Sequence, residues 1–218
     1  EISVICRNII SQQRAFTTVA LLDLAKAFDS VDHSILLRKL QLFGISESSL
    51  GWFRSYISDR QQMCSVNGKM SDTCTIKCGV PQGSILGVLL FLIYVNDFPT
   101  CLKHSKARMY ADDTTVSVAG NTTTQVEKLI NSDLISIKKW LESNKLTINV
   151  TKTEYILIGS SYKLLSINKP PNIMMGNKKI DRVKFSICVG VCIDETLTWN
   201  QHIEYTYYTI QSSYTPTA

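Results

Sequence analysis

Ala107-Arg108-Met109-Tyr110-Ala111-Asp112-Asp113-Thr114-Thr115-Val116-Ser117-Val118 reads as two β-prone runs broken by a pair of adjacent acids. The spacing predicts a tight turn between paired strands, with Asp112 and Asp113 at its tip. Far upstream, Thr18-Val19-Ala20-Leu21-Leu22-Asp23-Leu24 is almost continuously apolar, as a strand covered on both faces would be, and Asp23 intrudes near its C-terminal end. Neighbouring carboxylates repel one another and call for a counter-ion. A sheet that sets Asp23 beside Asp112 would offer hard oxygen ligands to two divalent cations, Mg²⁺ or Mn²⁺. A Tyr-x-Asp-Asp turn alone is equally well a solvated β-turn, so the other segments decide.

After Asp32, an N-cap candidate, Leu36, Leu37, Leu40 and Phe43 follow a helical period that stops at Gly44, and a second short helix is expected over Glu47–Ile57. Asn67-Gly68 is a two-residue turn signal between Gln62–Val66 and Thr73–Lys77, read as a hairpin, although Lys69 to Asp72 suggest a longer loop. Gly79-Val80-Pro81-Gln82-Gly83-Ser84 is loop-like, with backbone expected to approach a neighbour at Gly83, and it leads into an apolar run, Ile85 to Val95, read as a core helix. Eleven residues are too few to span a bilayer, which needs roughly 20. Val126, Leu129, Ile130, Leu134, Ile137 and Leu141 keep a helical period, leaving Glu127, Lys128, Asp133 and Lys138 to face water. Tyr155–Ile158 reads as a strand, and Pro170-Pro171 breaks the chain before short strands near Ile173–Met175 and Val183–Ile193. The order predicts an α+β fold, an antiparallel sheet with helices packed on one face.

With 218 residues and 44% hydrophobic content the chain can bury a core of one domain with at most an appendage. The net charge of +5 favours an anionic partner without demanding one, because the basic residues are scattered. Seven cysteines without a Cys-x-x-Cys pair and without a secretory leader point to a reducing, intracellular setting, buried thiols and no membrane partner. His33 and His202 are read as ordinary polar contacts, Asp29 and Asp32 as turn and helix caps, and Trp140 and Trp199 as packing residues.

Ala20-Leu21-Leu22-Asp23-Leu24-Ala25-Lys26-Ala27-Phe28-Asp29-Ser30-Val31-Asp32-His33, then Gly79 to Ser84, then Tyr110-Ala111-Asp112-Asp113, resemble in order and spacing the reverse transcriptases. The wording, with Leu197-Thr198-Trp199 before His202-Ile203, is most similar to the enzymes of non-LTR retrotransposons of the Jockey and LINE-like type. The resemblance implies a polymerase palm and RNA-directed DNA synthesis on an RNA template with a DNA primer and deoxynucleoside triphosphates. It implies metal-binding catalytic acids at Asp23, Asp112 and Asp113, and a proton donor to pyrophosphate at Lys152. Phe28 then matches the residue that obstructs a 2′-hydroxyl, which argues against an RNA-templated RNA polymerase, while Gln82 and Gly83 match the loop against the nascent base pair and Tyr110 a substrate contact. Each has a plainer reading: a core aromatic for Phe28, a helix-entry loop for Gln82 and Gly83, a surface lysine for Lys152.

Residues 1–203 are expected to form a partial reverse transcriptase domain, a palm with a residual fingers segment, and residues 204–218 a divergent tail in place of the thumb. Fewer than two dozen residues precede Asp23, so the basic fingers grip on the triphosphate is expected to be missing. Phe185 precedes Ser186-Ile187-Cys188-Val189-Gly190-Val191 where the family has an aromatic followed by Leu-Gly, a short insertion with one substitution. No endonuclease, Cys/His knuckle or RNase H segment is read in the chain. Two functional classes therefore remain: a truncated polymerase core, or a catalytically inactive remnant that at most binds nucleic acid or protein.

Overall fold

The computed structural model describes residues 15–214, so much of the segment read as residual fingers and the last residues of the tail lie outside the described residues. In chain order the first elements are β1 (Phe16–Leu22), α1 (His33–Leu42), α2 (Glu47–Ile57), the two-residue strands β2 (Gln61–Gln62), β3 (Ser65–Val66), β4 (Lys69–Met70) and β5 (Cys74–Thr75), and α3 (Ile85–Val95). There follow β6 (Lys106–Tyr110), β7 (Asp113–Gly120), α4 (Thr123–Ser143), β8 (Glu154–Ile158), α5 (Ser161–Leu165), β9 (Met174–Met175), β10 (Lys178–Lys179), β11 (Asp181–Val183), β12 (Phe185–Cys188), β13 (Val191–Asp194) and α6 (Asn200–Tyr214). The described residues form two compact bodies: a sheet body of residues 15–23, 102–138 and 149–214, and a helical body of residues 24–101 and 139–148.

The sheet body is built on a five-stranded sheet in the order β11-β8-β1-β7-β6. Central β1 pairs antiparallel with β7, from Phe16 opposite Gly120 to Leu22 opposite Thr114, and antiparallel with β8 on its other side. The edge departs from an all-antiparallel sheet, since β11 joins β8 in parallel. One sheet face carries Val19, Ile156 and Ile158, packed on Cys188 and Ile193 of the β12–β13 hairpin. On the other lie fully buried Ala20, Val116, Tyr155 and Leu157, a surface that needs an apolar cover. Along α4, Val126, Ile130, Leu134 and Ile137 are at 0% exposure in one stripe at helical spacing, an apolar side that suits such a cover.

Asp133 corrects the reading of that helix. It does not face water: it is fully buried, and its carboxylate accepts the backbone N–H groups of Lys103 (3.0 Å), His104 (3.0 Å) and Ser105 (2.6 Å) at the entrance to β6. Burial alone would raise its pKa, yet the hydrogen bonds it accepts hold it below the ordinary value.

In the helical body, the Asp32 carboxylate caps α1 by accepting from the N–H groups of Ser34 and Ile35, each at 3.0 Å, and Gly44, at φ 86°, ends the helix in the left-handed region. Lys145 pairs with the same carboxylate at 2.6 Å. Burial pushes Asp32 up, but Lys145 and the capping donors outweigh it and hold the group well below the usual carboxylate range. Asn67 and Gly68, at φ 50° and 77°, close a hairpin of β3 and β4 nested inside the β2–β5 pair.

Two expectations fail here. The apolar helix α3 buries Leu90, Phe91, Tyr94 and Val95 but exposes Ile85, Val88, Leu89 and Leu92, so it is a half-covered helix; an all-apolar run carries no periodicity from which the covered side can be read. Buried thiols also fail for Cys64, Cys74 and Cys78, which lie exposed on or beside the hairpin because two-residue strands have no second layer over them.

The β12–β13 turn offers a stability test. Val189 and Gly190 take φ 49° and 78°, the two-residue hairpin conformation that suits Asn-Gly, and a β-branched valine is strained there. Val189→Asn should stabilise the protein by about 1 kcal/mol in chemical denaturation. No gain would show the strain to be absent.

Candidate active site

β1 ends at Leu22 opposite Thr114, so the next residue on one strand, Asp23, and the preceding residue on the other, Asp113, occupy the same end of the sheet. Asp113 is paired across β6 with Tyr110, and Ala111, at φ 54°, turns the chain so that Asp112 sits at the tip. By strand alternation Asp23 and Asp113 continue the face that bears Val19 and Leu21, the face under the β12–β13 hairpin. The electrostatics agree. Burial raises the Asp113 carboxyl above its ordinary value, and the charges of Asp112 and Asp23 raise it further. Burial likewise raises the Cys188 thiol of that hairpin, and the Asp113 charge adds to it.

The backbone of Asp23 is held on both sides. Its N–H donates to Thr153 Oγ1 at 3.2 Å and its carbonyl accepts from the Asn149 N–H at 2.8 Å, while the Thr153 hydroxyl donates to the Asn149 carbonyl at 2.9 Å. Lys152 rides on this turn with its N–H bonded to the Asn149 carbonyl at 3.1 Å and its side chain exposed, so the structure brings its loop to the end of β1. Tyr110 is 60% exposed on the same turn as the acids.

Among the described residues no basic side chain pairs with Asp23, Asp112 or Asp113, and no group of three His, Cys, Asp or Glu side chains stands close enough to hold a metal ion. The donor chemistry nonetheless suits a hard cation. Mg²⁺ is held by one or two carboxylates with water and substrate phosphates completing its octahedron, so an all-protein cage is not its usual site.

Phe28, Gln82 and Gly83 belong to the helical body. The Phe28 ring lies 4.5 Å from that of fully buried Phe91 and is itself half-buried, so it is packed in part as a core aromatic. Gln82 Nε2 donates to Asp29 Oδ1 at 3.3 Å; Asp29 thus braces the Gln82 loop and caps no helix. The loop is laid against the 28–31 turn by Gly79 N–H to the Val31 carbonyl (2.7 Å) and Val80 N–H to the Phe28 carbonyl (2.9 Å). The close backbone approach is at Gly79, where a Cβ would come within 2.9 Å of the Asp29 backbone, whereas Gly83 meets nothing within 4 Å and is required by its φ of 81°.

Tyr94 and Lys145 were not singled out by the motifs. Fully buried Tyr94 accepts from the Asp32 N–H (3.3 Å) and donates to the Asn144 carbonyl (2.6 Å), tying the start of α1 to the loop after α4. An aromatic inside an apolar helix gave no hint of that bond. His33 Nε2 contacts the Gly79 carbonyl at 2.9 Å and His202 Nδ1 the Cys192 N–H at 3.4 Å, both ordinary polar contacts as expected.

Comparisons with known proteins bear on the fold and the family. The chain is 26% identical over 199 residues to the RNA-directed DNA polymerase from mobile element jockey of Drosophila melanogaster, covering 88% of this chain and 21% of that protein. It is also 26% identical over 200 residues to the probable RNA-directed DNA polymerase from transposon BS of the same species, covering 88% and 22%. The chain thus spans about a fifth of the length of the curated relatives it matches. Among solved structures, the apo telomerase of Candida tropicalis truncated from its C-terminal domain superposes with a TM-score of 0.59 at 15% identity, over 91% of this chain and 39% of that one, a likeness of fold. Residues 3–209 match the model of the family described as reverse transcriptase (RNA-dependent DNA polymerase), and the chain belongs to that family.

Proposed function

We propose that this chain is the polymerising core of an RNA-directed DNA polymerase of a non-LTR retrotransposon, extending a DNA primer on an RNA template with deoxynucleoside triphosphates. The observation that carries the reading is the convergence of Asp23, Asp112 and Asp113 at one sheet end, charge against charge, with no described cation to neutralise them. Asp23 and Asp112 would hold Mg²⁺ or Mn²⁺, with Asp113 an auxiliary ligand; when bound, the ions activate the primer 3′-hydroxyl and stabilise the pyrophosphate that leaves as the new phosphodiester forms. The chain's own residues position and exchange protons. Lys152 donates a proton to the departing pyrophosphate. Phe28, stiffened by Phe91, blocks a ribose 2′-hydroxyl, and Gln82 and Gly83 lie along the nascent base pair, with Tyr110 against the substrate.

Primer extension on an RNA template with Mg²⁺ tests the reading. Asp112→Asn should lower incorporation by about 10²–10³-fold, the scale of one lost charge-stabilising group. Equal incorporation by the two proteins removes the claim. A second reading is a catalytically silent palm that at most binds nucleic acid or protein, and the same assay separates the two.

Phe28→Val should raise the relative kcat/KM for ribonucleotides by about 10–200-fold, the range set by steric fit in a pocket. An unchanged sugar preference would exclude the gate.

A further inference from the structure

Asn67-Gly68 is the sole Asn-Gly pair in the sequence, and the fold sets it at the tip of the β3–β4 turn. Both residues are exposed, and a Cβ placed on Gly68 would meet nothing within 4 Å. Among the described residues, neither the Asn67 carboxamide nor the Gly68 N–H has a hydrogen-bond partner. Little else holds the turn. β3 meets β4 only through Ser65 with Met70 and Val66 with Lys69, and the surrounding β2–β5 pair is as short and as exposed. A ladder of that size with no apolar cover is marginal in water, so the turn opens at small cost and Asn67 leaves its φ of 50°. Asn131 makes the contrast. It also precedes a small residue, Ser132, but its carboxamide donates to the Asn172 carbonyl at 2.8 Å and accepts from the Met174 N–H at 2.9 Å. Ser132 lies inside α4, where its N–H is spent on the helix.

We propose that Asn67 is a site of spontaneous deamidation, with the Gly68 backbone nitrogen as nucleophile. That nitrogen, its proton passed to hydroxide, attacks Asn67 Cγ. The new N–Cγ bond closes a succinimide ring while the Cγ–Nδ2 bond breaks, and Nδ2 leaves as ammonia, its third hydrogen coming from water. A water molecule then adds to one of the two ring carbonyls and breaks that carbon's bond to nitrogen, leaving aspartate or isoaspartate at residue 67. Asparagine and water thus become an acid and ammonia, with no change of oxidation state. Glycine suits residue 68 because no side chain shields the attacking nitrogen. Either product puts a carboxylate at the tip of the turn and lowers the net charge of +5 by one. Isoaspartate also adds an atom to the main chain between Val66 and Lys69, so the register of β3 on β4 is lost.

The test is ageing of the purified full chain in mildly alkaline, reducing buffer, followed by tryptic digestion and mass spectrometry of residues 61–69, the peptide that Arg60 and Lys69 delimit. Residue 67 should gain the mass difference between a carboxamide and a carboxyl group and resolve into two isomers. The intact chain should shift in isoelectric focusing to the band of Asn67→Asp. Conversion in the folded chain should run within about tenfold of that in urea, as a freely opening turn requires, whereas folding should slow Asn131 by about a hundredfold or more. Gly68→Ala should lose most of the conversion in native buffer and in urea alike, which separates shielding of the nitrogen from strain at the φ of 77°. Conversion of residue 67 slowed by more than about tenfold on folding would overturn the proposal. So would Asn131 ageing as fast as Asn67, or Gly68→Ala ageing like the wild type. Each readout is independent of polymerase activity.

Discussion

Asp133→Ala is expected to lower the unfolding free energy by about 3–6 kcal/mol, on the scale of 1–2 kcal/mol for each of three buried N–H groups left without an acceptor. The carboxylate accepts the Lys103, His104 and Ser105 N–H groups and lies at 0% exposure, so water cannot replace it without opening α4 from the loop. The loss should also depend on pH. The folded pKa of Asp133 is lowered from 3.8, so its stabilisation is complete above the unfolded value and drains as pH falls through the folded one. Urea denaturation of the wild type and Asp133→Ala should therefore differ most above about pH 5 and converge in acid. A gap under 1 kcal/mol at pH 7, or one that widens in acid, would refute the assignment.

Asp133 also shows where reading a sequence stops. Helical period places Val126, Ile130, Leu134 and Ile137 on the covered side, but an acid beside that stripe is read as solvated because its partners lie 28–30 residues away in a loop with no pattern. Local signals behaved differently. The Asp32 cap, Gly44, the Glu47–Ile57 helix and the Asn67-Gly68 turn all lie where short-range chemistry put them, since cap and turn energies are local. The parallel β8–β11 edge was illegible because a three-residue strand has too few side chains to show alternation, and its direction is set by the crossover before it.

The site divides in the same way. Adjacent acids between β-prone runs give a turn, and the apolar run before Asp23 gives a buried strand, so two ends of one sheet are legible. Their register is not, and register is what sets Asp23 across from Asp113.

Removing charge from the acid cluster should move stability and activity in opposite directions, as it does where a site is kept at the expense of the fold. Asp112 and Asp23 both raise Asp113, so Asp112→Asn or Asp113→Asn relieves repulsion and should stabilise the chain by up to about 1 kcal/mol, the ceiling for exposed charge pairs. Incorporation should fall by the 10²–10³-fold argued above. A ligand that screens the same repulsion must stabilise the wild type, because binding to the native state alone adds RT ln(1 + [L]/Kd). Mg²⁺ at ten times its Kd would add about 1.4 kcal/mol, a rise of about 3–5 °C in Tm for a protein of this size. In Asp23→Asn the Mg²⁺-dependent rise should shrink while the metal-free Tm goes up, a pairing that a purely structural acid cannot produce, since losing such an acid lowers the metal-free Tm. Scanning calorimetry of the wild type and Asp23→Asn with and without Mg²⁺ decides the matter: a wild-type Tm indifferent to Mg²⁺, or a fall in the metal-free Tm of Asp23→Asn, would mean that these carboxylates hold the fold and no cation.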